Sequence, residues 1–329
     1  MSTSATAVQP LTGRWRASLV QQEGLVGAAV VALILVIGLV NPAFFTGENI
    51  ADMLVNSAFI AVAAVGMTMV IVSGGIDISI GSILGVCATV AGNLAVSGVP
   101  VLLAFLVAIL VGGLLGLLNG LLIAFARIPP IVATLGTLSI LRGGLILVTQ
   151  GQWIMNMPPA FFISQKQYNI GAVLPIPVVV MVVVVAIGWF WMRYTAGGRA
   201  IYALGGNKEA ARLAGLHPRL VTLQVYTING LLAGVAAVLY AARFTSIQSN
   251  AGLGFELSVI TAAVVGGVSI LGGSGSVIGA LLGAILINVI GTGAVFLRVS
   301  PFWLQAVQGG LILLTVLVDM LRRRRLQKL

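Results

Sequence analysis

The sequence predicts an all-α fold, a polytopic bundle of about ten membrane-spanning helices, and three observations carry that prediction. Of 329 residues, 59% are hydrophobic and only 7% charged, whereas a soluble domain carries about 25% charged residues. The apolar residues form long unbroken runs, such as Val178 to Trp191. A helix needs about 20 of them to cross a bilayer, and a membrane barrel would alternate apolar with polar instead. Glycine is abundant at 42 residues, and in lipid it lets helices approach closely.

The elements follow in order. Residues 1–24 read as a cytoplasmic tail, rich in Ser and Thr and carrying Arg14 and Arg16. The apolar run Leu25 to Val40 is followed by Asn41-Pro42 rather than a small-residue cleavage site, so it reads as a retained first span and not a signal peptide. Further spans fall at 54–72, 79–97, 101–126, 131–149, 176–193, 221–242, 257–273, 276–296 and 302–320. Several are short or broken by glycine, which suits tilted, re-entrant or interrupted helices. Residues 25–320 thus read as one transmembrane domain with a polar loop at 194–220, and 321–329 as a basic cytoplasmic tail.

Lysine and arginine set the orientation. With the N-terminus inside, thirteen of the 17 basic residues fall on the inner side, among them Arg127, Arg193, Arg199, Lys208, Arg212, Arg219, Arg322 to Arg325 and Lys328. Lys166, Arg243 and Arg298 fall outside, and Arg142 lies within a span. That asymmetry supports both termini inside, and the Arg-rich tail can touch anionic lipid. The net charge of +10 reads as this bias, not as nucleic-acid binding, since no bases interleave with aromatics along a groove.

The polar stretch Gly205-Gly206-Asn207-Lys208-Glu209-Ala210-Ala211-Arg212-Leu213-Ala214-Gly215 stands out in so apolar a chain. Asn207 can cap a short helix, Gly215 can end it and Pro218 follows. Ala210 and Ala211 offer a small flat face, with Glu209 and Arg212 at its rim. Such a helix either docks on a partner or lies as an ordinary amphipathic helix at the membrane surface.

Inside the spans, Asp77 is the only acid between Asp52 and Glu209. It suits a turn or helix cap near the inner face, with a proton or cation site as the alternative. Arg142 sits about 16 Å into the fifth span; it either lines a path or pairs with an acid such as Glu256. Asn119, Gln224, Tyr226, Thr227, Asn229 and Asn288 either bond neighbouring helices or offer brief hydrogen bonds to a polyhydroxylated solute. Trp153, Phe161 and Phe162 in the long outer loop read as an interfacial belt or an outer mouth.

Other chemistries are disfavoured. One cysteine, Cys87, and one histidine, His217, leave no disulfide, and a metal site or triad is disfavoured. No Gly-x-x-x-x-Gly-Lys-Ser/Thr loop is present, so any ATP drive must come from a partner. Gly74-Gly75 with Gly81-Ser82-x-x-Gly85 is echoed by Gly266-Gly267 with Gly275-Ser276-x-x-Gly279, as broken helices in transporter repeats can be.

The Gly74–Ser82 turn, Ile128-Pro129-Pro130-Ile131-Val132-Ala133-Thr134-Leu135-Gly136-Thr137, the Gly197–Gly215 loop and Val265-Gly266-Gly267-Val268-Ser269-Ile270-Leu271-Gly272-Gly273-Ser274-Gly275, in this order, resemble the ribose-type permease family of ATP-binding-cassette sugar importers. The resemblance runs from about Asn41 to Asp319. It implies a bacterial inner-membrane permease that pairs in the membrane, as a homodimer or with a sister permease. Two ATPase subunits, which bind the ATP and Mg, would dock on the coupling loops, and a periplasmic binding protein would deliver a monosaccharide or related polyol. Asn207, Glu209, Ala210, Ala211, Arg212 and Gly215 then fall in the ATPase-coupling segment, although the isoleucine-leucine-proline end of the broader coupling signature is absent here. Arg142, Asn119, Gln224, Asn229 and Glu256 become candidates for the path. Gly151-Gln152-Trp153-Ile154 and Val299-Ser300-Pro301-Phe302-Trp303 lean toward the rhamnose and autoinducer-2 branch. An ion-coupled secondary sugar transporter is the alternative; it needs a coupling site of buried acids, for which only Asp77 and Glu256 are at hand.

Overall fold

The computed structural model describes residues 11–163, 174–300 and 302–326. Twelve α-helices lie in these segments: α1 (Leu11–Val40), α2 (Gly47–Val72), α3 (Ile80–Val96), α4 (Val101–Ala124), α5 (Pro130–Thr149), α6 (Ile176–Tyr194), α7 (Ala196–Gly206), α8 (Lys208–Leu213), α9 (Pro218–Ala241), α10 (Phe255–Val265), α11 (Val277–Phe296) and α12 (Trp303–Leu326). Eight are long and apolar enough to cross a membrane, and α3 and α10 are shorter apolar helices. The all-α bundle read from the sequence is the fold.

Helix α2 is the axis of the bundle. It carries small and β-branched residues on all sides and is buried nearly throughout, from Ala58 to Val72. A helix apolar all round must be enclosed, and α6, α9, α10 and α11 pack around it. Helices α4 and α9 lie backbone to backbone. A side chain at Gly116 would meet Gly230, and one at Gly112 would meet Gly230 and Gly234, the close approach that small residues allow in lipid. Helices α1, α4, α5, α6 and α12 turn leucine- and valine-rich faces outward, as a lipid-facing shell requires.

The two short helices mark where the chain breaks inside the bundle. The sequence predicts a span at 257–273, but α10 stops at Val265. Gly267, Gly272 and Gly273 then adopt left-handed φ of 98°, 82° and 74°, and the helix cannot run through them. Eleven residues make only about 16 Å of helix, roughly half the hydrocarbon core. The segment before α10 runs back along α3. Ile247 lies over Gly92, the Ala251 carbonyl over Gly85 and Gly252 over Gly81. An antiparallel bridge between Ile154 and Ile247, two hydrogen bonds of 2.9 Å, fixes this segment to the long outer loop. Arg243 and Asp52 pair at 2.9 Å nearby.

Candidate functional site

The polar loop folds as two helices, α7 and α8, where the sequence predicts one. Asn207 caps α8, its Oδ1 accepting from the Glu209 and Ala210 amides at 3.0 and 2.9 Å. Gly215 follows the helix at φ 84°, a conformation that costs glycine little, and Pro218 starts α9. The two alanines do not share a face: Ala210 is exposed and Ala211 is buried. The outward face presents Lys208, the Glu209–Arg212 ion pair and Leu213. Leu213 is 79% exposed, an apolar knob among charges with nothing on it. Sequence reasoning missed Leu213, because leucine in a helix reads as core until its direction is known.

Beneath α8 the end of α7 is locked to both helix breaks. The Gly273 amide donates to the Val72 carbonyl at 2.8 Å, joining the turn after α10 to the end of α2. Gly205 lies across this bond. A Cβ there would overlap the Val72 carbonyl and come within 2.7 Å of the Gly273 nitrogen. Gly272 faces Gly74 and the Gly205 carbonyl, and Gly273 faces Gly206. The Tyr202 hydroxyl of α7 donates to the Gly275 carbonyl at 2.8 Å. Burial, helped by the Glu23 charge, pushes that phenol up to about 12, so it remains a protonated donor at neutral pH. Across the same turn Ser269 donates to Asp319 of α12 at 2.7 Å. The two glycine motifs that echo each other in sequence are therefore two helix breaks pressed together under α8.

A polar knot lies deeper. The sequence places the Asp77 turn near the inner face as a turn or cap, and the structure buries Asp77 completely among the helices. Its Oδ1 accepts from the Ser79 amide at 2.9 Å and the Ser79 hydroxyl at 2.6 Å. Its Oδ2 accepts from Asn229 Nδ2 of α9 at 2.9 Å, and Asn119 Nδ2 of α4 donates to the Ser79 hydroxyl at 2.8 Å. Asn229 Oδ1 has no hydrogen-bond donor and rests against Gly66 of α2, where a Cβ would come within 2.5 Å of it. Asp77, Ser79, Asn119 and Asn229 thus tie the α2–α3 break to the α4–α9 pair. This is a capping and helix-bonding arrangement, and it explains why the break can carry an acid: each Asp77 oxygen accepts at least one hydrogen bond.

Arg142 and Glu256 come together elsewhere, beside the re-entrant segment. Arg142 Nη1 donates to the Ala251 carbonyl at 2.7 Å and faces Gly85 of α3, and the Glu256 carboxylate faces Gly81 one turn away on the same helix. Both side chains are half-buried. Next to Arg142, Gly136, Gly143 and Gly144 on α5 face open space. Gln224 is exposed on α9. Of the outer-loop aromatics, Phe161 is fully buried and stacks edge-on with Phe105 at 5.1 Å, whereas Trp153 is half exposed. Among the described residues no group of His, Cys, Asp and Glu could hold a metal ion.

The chain matches the family described as branched-chain amino acid transport system / permease component over residues 49–316. It is 36% identical over 316 residues to the ribose import permease protein RbsC of Escherichia coli, covering 94% of this chain and 98% of that one. The Haemophilus influenzae ribose import permease is 34% identical over 92% of this chain and 93% of its own. The autoinducer 2 import system permease LsrC of Yersinia pseudotuberculosis is 35% identical over 90% and 84%. No solved structure matches the chain. A family of this kind works with an ATPase and a binding protein. The chain belongs to this permease family, and it is a multi-pass inner-membrane subunit of an ATP-binding-cassette importer rather than an enzyme.

Proposed function

We propose that this permease carries a small sugar, a monosaccharide or a related furanose or polyol, into the cytoplasm, with α8 as the surface on which its ATPase docks. The exposed Leu213 beside the Glu209–Arg212 pair carries the docking reading, because an apolar knob ringed by charge is the anatomy of an interface centre. Asn207 and Gly215 shape the helix, and the ATPase holds the ATP and Mg. Both termini lie inside, as the basic residues indicate. Two copies of the chain meet along α5, where Gly136, Gly143 and Gly144 leave the backbone open to close approach. Arg142 and Glu256 stand at that seam as polar groups that can exchange hydrogen bonds with a passing hydroxylated solute. The relatives named for ribose and autoinducer 2 support the substrate class.

The test is uptake in proteoliposomes holding permease, ATPase and binding protein. Expected uptake requires ATP and survives an ionophore. Glu209→Arg abolishes it, and Arg142→Gln lowers it by about tenfold while ATPase binding is kept. Uptake that collapses with the ion gradient while ATP persists would overturn the proposal in favour of ion coupling.

A further inference from the structure

Beside α8 an open cleft of about 960 Å³ lies between the α4–α5 turn, the start of α9 and the α2–α3 break. That is within the roughly 300–1,000 Å³ range of ligand pockets. Arg127, Lys208, Arg212 and Arg219 line it, and the described lining residues include no carboxylate. Arg212 is paired with Glu209. Among the described residues Arg127, Lys208 and Arg219 form no ion pair. Arg127 is held at a left-handed φ of 59°, a conformation uncommon for a side-chain-bearing residue. Ile123, Phe125, Leu204 and Leu220 give the cleft an apolar part of its lining. This lining continues along α4 into Leu121 and Leu118, which face outward. The floor is Gly75 and Tyr226, and the Tyr226 hydroxyl donates to the Ile76 carbonyl at 3.3 Å, next to Asp77.

We infer that this cleft binds an anionic phospholipid, its phosphate headgroup between Arg127 and Arg219 and its acyl chains along the apolar lining onto α4. Clustered cations at a low-dielectric boundary concentrate anions, and basic pockets between membrane helices take anionic headgroups. A free phosphate would leave the apolar lining unused, whereas an amphiphile fills both parts. The bound lipid would touch α8 and the α2–α3 break at once, so it would brace the coupling helix against the bundle. The inference does not depend on which solute is carried.

The test uses the permease with its ATPase in nanodiscs, delipidated and then offered phosphatidylglycerol and phosphatidylcholine in equal amounts, with retained lipid counted by native mass spectrometry. Wild type should retain phosphatidylglycerol in preference. The double variant Arg127→Gln with Arg219→Gln should lose that preference by about tenfold or more. Arg127→Lys with Arg219→Lys should restore it. Equal retention by wild type and the glutamine variant would overturn the inference. So would full competition by soluble glycerol phosphate, which would give the cleft to a free anion. Lipid held by the permease alone but expelled by its ATPase would also overturn it and give the cleft to the protein partner.

Discussion

The outer face of α8 and the node at the end of α7 are neighbours along the chain and built on opposite principles. The surface is side chains: Lys208, Glu209, Arg212 and an uncovered Leu213. The node is backbone: Val72, Gly205, Gly272 and Gly273 in direct contact, with one interhelical hydrogen bond and no room for a Cβ at Gly205. Side chains can rearrange around a partner, whereas close-packed backbone moves as a block. The difference teaches a division of labour. With the ATPase docked on α8 as proposed, the surface would recognise the partner, and the node would pass its displacement to the ends of α2 and α10 without loss in soft rotamers. The Asp77 knot continues the rigid part, tying α3 to α4 and α9.

Breaking the surface should have the largest effect. Leu213→Asp is expected to weaken ATPase retention by about 2–4 kcal/mol, the cost of losing an interface anchor, and to leave the permease's own melting temperature unchanged. Co-purification at graded ATPase concentration checks both. Breaking the knot is next. Asp77→Ala strands the Ser79 and Asn229 donors and should destabilise the permease by about 3 kcal/mol, read as loss of monodispersity on heating in detergent. Gly205→Ala sharpens the division most. It should cut ATP-driven uptake by about tenfold, as overpacking of roughly 1–3 kcal/mol shifts the node, with ATPase retention intact. Tyr202→Phe is the smallest, about 1 kcal/mol from one hydrogen bond. Since burial raises that phenol, its bond should hold below pH about 10 and fail as pH rises through about 12. Wild-type minus variant ultraviolet titration shows this.

Much of this architecture is legible in sequence because lipid imposes a simple grammar. Unbroken apolar runs give the helices, and Asn207, Gly215 and Pro218 punctuate α8 by local chemistry that needs no tertiary context. What sequence does not show is depth and direction. Asp77 reads as a turn or helix cap because glycines and Ser79 flank it, and its full burial is not legible there. It is buried because Asn119 and Asn229, 42 and 152 positions away, supply the bonds that make burial tolerable. The 257–273 run reads as one span because hydropathy ignores glycine conformation. Helix α7 is hidden because its glycines, which weaken helix propensity, are there for close packing. Leu213 is hidden because only the fold determines which way a six-residue helix faces.

The native thiol gives the most direct test. Cys87 is the chain's only cysteine and is fully buried, so Leu213→Cys introduces the one reactive thiol. We would treat native membranes of that variant with a cysteine-to-lysine crosslinker and identify the adduct by mass spectrometry. Docking of the ATPase on α8 predicts an adduct with an ATPase subunit whose yield changes when ATP is added. An ATPase that crosslinks from the opposite end of the bundle, at Phe302→Cys, and not from position 213 would contradict it.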